Sequence, residues 1–295
     1  MLREIENNSV NGVYDSKKSQ QKAYEKRHNA RFQGKSIIAN DKLRDFVKKH
    51  LLEGCSPESI SGRIRKRENE ISNIGKDTIY RFLRSPYGKI IGLKLEKKKR
   101  HFRRSRKVEL DGRVFIENRP KIANNRGRVG DLEADFIVSG KSGKGVLLTV
   151  VDRKTRKAFL EIIYNVCIDE VHSAFKRRKK KFPEMKTLTL DNDILFRMRK
   201  TLEKLLKVKI YFCRPYHSWE KGEIANLNRF IRIYIPKGSN ISKYDKKDIR
   251  LIERKCNGRF LKCLDYATPD EALEECRLRK NNKKTAVKPL ENEKS

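Results

Sequence analysis

The spacing of apolar residues predicts three short helices in the first third of the chain. Between residues 40 and 83, apolar side chains recur at helical spacing in three segments, and Gly54 ends the first of them. Ser56 and Pro57 are typical of the start of the second helix, where Ser caps the N-terminus and Pro fits the first turn. Such a triplet is either a plain three-helix packing unit or a helix-turn-helix. In the second case the last helix presents three residues to a DNA groove: Lys76, Thr78 and Arg81.

From residue 130 onward, the apolar residues alternate with period two or run continuously, which predicts strands. The predicted strands cover residues 133–138, 146–152, 158–163, 187–190 and 208–212. The predicted helices cover residues 169–180, 196–206 and 221–234, and one more is predicted near residues 16–31. Three strands followed by alternating helices and strands indicate an α/β fold with a mixed five-stranded sheet covered by helices.

Changes in composition divide the chain into five predicted parts. Residues 1–37 form a polar N-terminal segment, and residues 38–92 form an all-α helix-turn-helix domain. A basic linker follows over residues 93–128, where charge prevents burial. The α/β core spans residues 129–279. Residues 280–295, rich in Lys and Asn, are predicted to be a disordered basic tail.

Charge is the most informative feature of the composition. The 295 residues include 73 Lys and Arg against 38 Asp and Glu, a net charge of +35. Such a surface attracts phosphate polymers by releasing their counterions, so a nucleic-acid partner with strongly salt-dependent binding is predicted. A ribosome-bound protein, or a surface that Lys residues keep soluble, are the alternatives.

No segment predicts a membrane partner or a metal-binding cysteine cluster. The most apolar run, residues 145–151, is far shorter than the ~18 residues that cross a bilayer, so a cytosolic location is predicted. The six cysteines then stay reduced, and they form no Cys-x-x-Cys pair. Cys213, His217, Cys256 and Cys263 are the nearest approach to a metal cluster, but scattered buried thiols are favoured.

Two carboxylates occupy positions that are costly for a charge. Asp135 lies inside the first predicted strand, and Asp191 directly follows the fourth. An acid in such a place requires a partner or a metal ion. Since the first and fourth strands can be neighbours, both carboxylates could meet at one edge of the sheet and bind Mg²⁺, in a two-ion site that cleaves phosphodiesters. The alternative is that Asp191 merely ends its strand in an Asp-Asn-Asp turn.

Three segments of the second half resemble one family: GDLEADFIVSGKSGKGVLLTVVDRKTR, LTLDNDILF and YFCRPYHSWEKGEIANLNRFIRIYIPKG. They are similar to the integrase core of the IS-thirty family of insertion-sequence transposases, and EGCSPESISGRI with KDTIYRFL resembles that family's second DNA-binding unit. The resemblance covers residues 38–275. It implies a ribonuclease-H-like fold, a triad of two aspartates and a glutamate with two Mg²⁺ or Mn²⁺ ions, and multimers that cut and join DNA at inverted repeats. Asp135 and Asp191 match the two aspartates, while Glu133 matches a preceding acidic position of open role.

The third position of the triad departs from the family. The family's glutamate lies three residues after the glycine of Trp-x-x-Gly, and in this chain that position holds Ala225. Glu223 is the nearest substitute as a catalytic and metal-binding acid. It lies two residues from position 225, which turns a helical side chain by about 200°, so we expect it to point away from the aspartates. Impaired catalysis is therefore favoured over rescue.

Other parts of the chain are candidates for DNA binding. The first eight residues, MLREIENN, resemble the last part of the family's first helix-turn-helix, so residues 1–37 are predicted to be its remnant. Arg229, Arg232 and Lys237 are candidates for phosphate contacts, although a solvated Lys237 is equally plausible. The leading hypothesis is a transposase acting on the double-stranded DNA of element ends and target. The alternatives are a catalytically silent DNA-binding derivative and an unrelated RNA-associated protein.

Overall fold

The computed structural model describes residues 5, 9, 14–30, 35–85, 87–88, 114–140, 143–191, 199–214 and 218–286. The chain forms two compact units, residues 1–99 and residues 100–295. Within the described ranges, no helix combines the length and the apolar character needed to cross a membrane.

The first unit is helical. Its helices are Ser16–Ala30 (α1), Lys35–Ile38 (α2), Asp41–Leu52 (α3), Pro57–Arg67 (α4) and Lys76–Arg84 (α5). The predicted start of α4 is confirmed, because the Ser56 side chain accepts a hydrogen bond from the backbone N–H of Ser59, and Pro57 begins the helix. The three predicted helices exist because their apolar stripes are buried together: Leu43, Val47, Ile60, Ile64, Ile79 and Phe82.

The second unit contains a mixed five-stranded sheet. Its strands are Asp131–Val138 (β1), Val146–Asp152 (β2), Ala158–Ile163 (β3), Thr187–Leu190 (β4) and Lys209–Phe212 (β5). Their order is β3-β2-β1-β4-β5, in which β1–β2 and β2–β3 are antiparallel and β1–β4 and β4–β5 are parallel. The predicted mixed sheet is confirmed, and so is the pairing of the first and fourth strands.

Helices cover both faces of this sheet. They are Lys121–Asn124 (α6), Ile168–Lys181 (α7), Arg199–Leu206 (α8), Gly222–Tyr234 (α9), Lys246–Asn257 (α10) and Pro269–Ala286 (α11). One core joins α7 and α8 to side chains such as Leu132 and Phe136 of β1, and a second core joins α9 and α10 to Ile137 of the same strand. This period-two alternation sends Glu133 and Asp135 to the α9 face. The arrangement is consistent with a ribonuclease-H-like core.

The elements of the structure cross two predicted boundaries. Residues 280–286 are not disordered but continue α11, because a helix that is already nucleated and packed at its start extends at little cost through Lys and Asn. Residues 287–295 of the predicted tail lie outside the described ranges.

The last part of the predicted linker, residues 114–128, folds onto the sheet instead of remaining solvated. Phe115 forms a parallel β-bridge with Phe212, and the Arg119 guanidinium donates to the Thr189 hydroxyl at 3.1 Å. Arg119 is buried, so composition alone was a poor guide to whether this basic segment packs.

Candidate active site

Asp135 and Asp191 converge beside two adjacent parallel strands, Asp135 in the middle of β1 and Asp191 directly after the end of β4. The register of β1 and β4 pairs Glu133 with Thr189, and two residues further along these strands come Asp135 and Asp191. The Lys221 ammonium lies 2.7 Å from Asp191 Oδ2 and 3.4 Å from Asp135 Oδ1. One cation therefore contacts both carboxylates.

The predicted position at a sheet edge needs correction. Because β3 and β5 are the edge strands, the two aspartates belong to the central strands: Asp135 lies within β1 and Asp191 directly follows β4. The Asp135 side chain is 28% exposed and that of Asp191 is 47% exposed, so Asp135 is the more buried of the two. Burial raises the pKa of Asp135 above its ordinary value, and Lys221 opposes that rise.

Lys221 is the cation that contacts both aspartates, although no sequence pattern singled it out. Its side chain is 9% exposed. Burial alone would lower its pKa, but Asp135 and Asp191 outweigh burial and raise the pKa above the usual value. Lys221 is therefore charged at neutral pH and compensates the two carboxylates.

Asn228 also contacts Asp135. Asn228 lies in the second turn of α9, and its Nδ2 donates a hydrogen bond of 2.9 Å to Asp135 Oδ2. The other end of the amide, Oδ1, is buried and accepts no hydrogen bond from the described residues. Helical spacing could have indicated this residue, since Asn228 lies three residues after Ala225 and so on nearly the same face of α9.

Glu223 is not brought to the aspartates. Its carboxylate forms ion pairs with Arg126 and with Arg156, the latter at 3.2 Å, and lies 3.9 Å from Arg153. Burial would raise the pKa of Glu223, but the arginines outweigh burial and lower it. Helix α9 begins at Gly222, so the expected rotation of Glu223 away from position 225 holds.

Glu133 anchors the start of α9 from the sheet. Its carboxylate pairs with the buried Arg153 and accepts the backbone N–H of Ile224 at 3.2 Å. Burial raises the pKa of Glu133 to about 7, against the effect of Arg153 and with a contribution from the neighbouring Glu223. The acidic position whose role the sequence left open thus belongs to a buried ion-pair network with Arg153 and Glu223.

The donor set fits a hard divalent cation in part. Two carboxylates already surround a shared cation, the Lys221 ammonium, and an unpartnered amide oxygen lies in the adjacent Asn228 side chain. Mg²⁺ and Mn²⁺ take oxygen ligands of both kinds. However, no group of three Asp, Glu, His or Cys side chains with metal-binding geometry occurs in the part of the chain that the structure describes. The third acid of the expected triad is therefore not assembled here.

Among the residues that the structure describes, the cysteines belong to no group that could hold a metal ion. Cys213 and Cys256 are buried, and burial raises the pKa of each thiol to about 12. A neutral thiol is a poor metal ligand. Cys263 is exposed, and His217 lies outside the described residues.

The residues predicted to contact DNA are distributed over both units. Lys76 and Arg81 are exposed on α5, and Thr78 is half-buried between them. In the second unit, Arg229 and Lys237 are exposed. Arg232 is half-buried and donates to the Pro236 carbonyl at 3.3 Å.

Curated relatives of the chain include several transposases. The transposase for insertion sequence element IS4351 of Bacteroides fragilis is 34% identical over 285 residues, covering 93% of this chain and 86% of that protein. The transposase InsI for IS30A of Escherichia coli is 29% identical over 248 residues, or 79% of this chain. The transposase for IS1086 of Cupriavidus metallidurans is 26% identical over 250 residues, covering 80% of this chain and 74% of that protein.

The coverage differs between these relatives. The chain spans 64% of the length of the Escherichia coli transposase, and no protein-family model matches it. The Bacteroides fragilis match nevertheless extends over most of both proteins. The chain therefore belongs to the IS30 (IS-thirty) family of insertion-sequence transposases.

Proposed function

We propose that this chain binds the terminal inverted repeats of an insertion sequence in the bacterial cytosol and cuts and joins DNA there. The observation that carries the proposal is the convergence of Asp135 and Asp191 on one cation position, in a chain whose relatives are named transposases. A charge of +35 supports a polyanionic partner.

DNA recognition is assigned to the first unit. Helices α3, α4 and α5 have the lengths and the order of a helix-turn-helix, and α5 carries Lys76 and Arg81 on its exposed surface. We infer that α5 enters the major groove and that Thr78 contributes at its margin. In the second unit, Arg229 and Lys237 are the candidates for holding the phosphate backbone beside the acids, with Arg232 as a partly buried third.

The chemistry is assigned to a ribonuclease-H-like core. Asp135 and Asp191 would hold Mg²⁺ or Mn²⁺, which when bound activates the attacking hydroxyl and stabilises the leaving oxygen of a phosphodiester. The chain's own residues orient the acids: Asn228 fixes the Asp135 carboxylate by a hydrogen bond, and Lys221 holds Asp135 and Asp191 at a common point. Assembly of several copies on paired element ends is part of this proposal.

A catalytically silent derivative is the second candidate, favoured by one specific observation. Ala225 stands where the family has its glutamate, and Glu223 is engaged by arginines. Loss of a ligand carboxylate leaves developing charge less well matched, so strand cleavage slows by orders of magnitude while DNA binding persists.

One experiment separates the two candidates. The protein is incubated with labelled terminal-repeat DNA and Mg²⁺ or Mn²⁺, beside the variants Asp135→Ala and Ala225→Glu. Nicking that disappears in Asp135→Ala supports a working transposase. Binding without nicking, with nicking gained in Ala225→Glu, supports the silent derivative. If bulk RNA displaces repeat DNA at moderate salt, the DNA-specific proposal fails and an RNA-associated role replaces it.

A further inference from the structure

The geometry of helix α9 determines which of its side chains can contact the two aspartates. Positions 225 and 228 are three residues apart, so they lie about 60° apart around the helix, whereas positions 223 and 225 lie about 160° apart. Glu223 accordingly contacts Arg156 on another side of α9, and residue 228 contacts Asp135. The face that the missing glutamate would use is thus occupied, one turn later, by an amide.

On this face of α9, the Oδ1 atom of Asn228 accepts no hydrogen bond from the described residues. This oxygen is buried, while Nδ2 of the same amide donates to Asp135. A buried carbonyl oxygen in that condition is costly and requires compensation. A rotation of about 180° around χ2 of Asn228 exchanges the positions of Oδ1 and Nδ2, and both orientations are accessible because this torsion is roughly two-fold. The amide can therefore present either a donor or an oxygen ligand to the acid pair.

We propose that Asn228 completes the cation site of this chain as a neutral third oxygen donor, in place of the carboxylate absent at position 225. This inference rests on the proposed function, because it assumes that Asp135 and Asp191 bind a divalent ion. Carbonyl oxygens of Asn are regular ligands of hard cations, and the number of charged ligands sets the affinity.

The charges of the site explain what such a substitution does. Asp135 and Asp191 carry two negative charges, and Lys221 returns one positive charge. A neutral amide leaves this balance unchanged, whereas a glutamate would add a full negative charge. The amide therefore holds a divalent ion less strongly than a carboxylate, and the site depends on Asn228 for position more than for charge.

The test measures Mn²⁺ binding by the full chain, calorimetrically and without DNA. Asn228→Asp keeps the size of the side chain and adds a charge, so we expect Mn²⁺ to bind about tenfold tighter. Asn228→Ala removes both the donor and the oxygen, so we expect binding about 10–100-fold weaker, the usual loss when a group that orients a metal ligand is removed. Asn226→Asp is the matched control, since Asn226 is exposed on the same helix and bonds to Arg229.

Thermal unfolding adds a readout that does not depend on catalysis. In Asn228→Asp, the hydrogen bond between Asn228 and Asp135 is replaced by repulsion between two carboxylates. The unfolding midpoint of this variant without Mn²⁺ should therefore lie below that of the parent chain. Mn²⁺ should then raise that midpoint more than it raises the midpoint of the parent or of Asn226→Asp.

The outcomes separate this inference from the proposed function. Equal Mn²⁺ affinities in Asn228→Asp and Asn226→Asp would overturn the role of Asn228 alone, provided that Asp135→Asn abolishes binding. An undiminished affinity in Asp135→Asn would overturn the metal centre itself, and this inference with it.

Discussion

Replacing Glu133 with Gln should change how stability depends on pH. Glu133 is buried in β1, and its pKa is raised from 4.5 to about 7. An acid with a raised pKa binds its proton more tightly in the folded state, so its contribution to stability is complete below pH 4.5. That contribution is lost as the pH rises through 7. The parent chain therefore loses stability relative to Glu133→Gln as the pH increases.

The size of this effect follows from the displacement of the pKa. One pKa unit corresponds to about 1.4 kcal/mol, so the full difference is about 3 kcal/mol, and about 2–3 kcal/mol of it develops between pH 5 and pH 8. The variant also changes the contact between Glu133 and Arg153, which is an ion pair where Glu133 is ionised, so its absolute stability differs from that of the parent. The prediction therefore concerns how the difference in free energy of unfolding between the parent and Glu133→Gln changes with pH, and not its absolute value.

Urea unfolding at a series of pH values measures that change. The sequence contains one tryptophan, Trp219, so its fluorescence reports on the unit that contains Glu133. The stability advantage of the parent over Glu133→Gln should shrink by about 2–3 kcal/mol from pH 5 to pH 8.

Glu223→Gln is the control of opposite sign. The arginines lower the pKa of Glu223, so its contribution is present above pH 4.5 and is lost as the pH falls through the folded-state pKa. A parent-minus-Glu133→Gln difference that is constant with pH, or that grows with it, would refute the assignment of a buried, proton-binding Glu133.

Three further predictions concern separate parts of the chain. Lys221→Met removes the ammonium shared by Asp135 and Asp191, so urea unfolding at pH 7 without divalent ions should show a loss of about 1–3 kcal/mol; an unchanged midpoint would contradict the shared ion pair. The Asn257 side chain pairs with the buried N–H and C=O of Ala158 on edge strand β3, and Asn257→Ala leaves both groups unpaired. Thermal unfolding should therefore show a loss of stability of about 2–5 kcal/mol, and a loss below about 1 kcal/mol would disprove this role of Asn257. Arg81→Ala should reduce the slope of log affinity against log salt for repeat DNA by about one, and equal slopes in filter binding would remove α5 from the DNA contact.

Periodicity was sufficient to predict most elements of the fold. Strands β2, β3 and β4 have the predicted bounds, because period-two alternation and apolar runs report burial directly. The amphipathic helix α10 was not predicted, although Ile249 and Ile252 are buried along one side of it. Composition failed where it was applied to short basic segments. Residues 114–128 pack on the sheet and residues 280–286 are helical, because the surrounding structure supplies the partners.

The sequence by itself indicated the mixed sheet and allowed the first and fourth strands to be neighbours, so that Asp135 and Asp191 could meet. These follow from local periodicity and from the few ways in which strands can be connected. Only the tertiary structure decided the surroundings of the acids: Lys221 between them, Asn228 on Asp135, and Glu223 held by arginines. Those contacts join residues about 30 to 100 positions apart, and side-chain charge in a buried site depends on such distant neighbours, which no local pattern records.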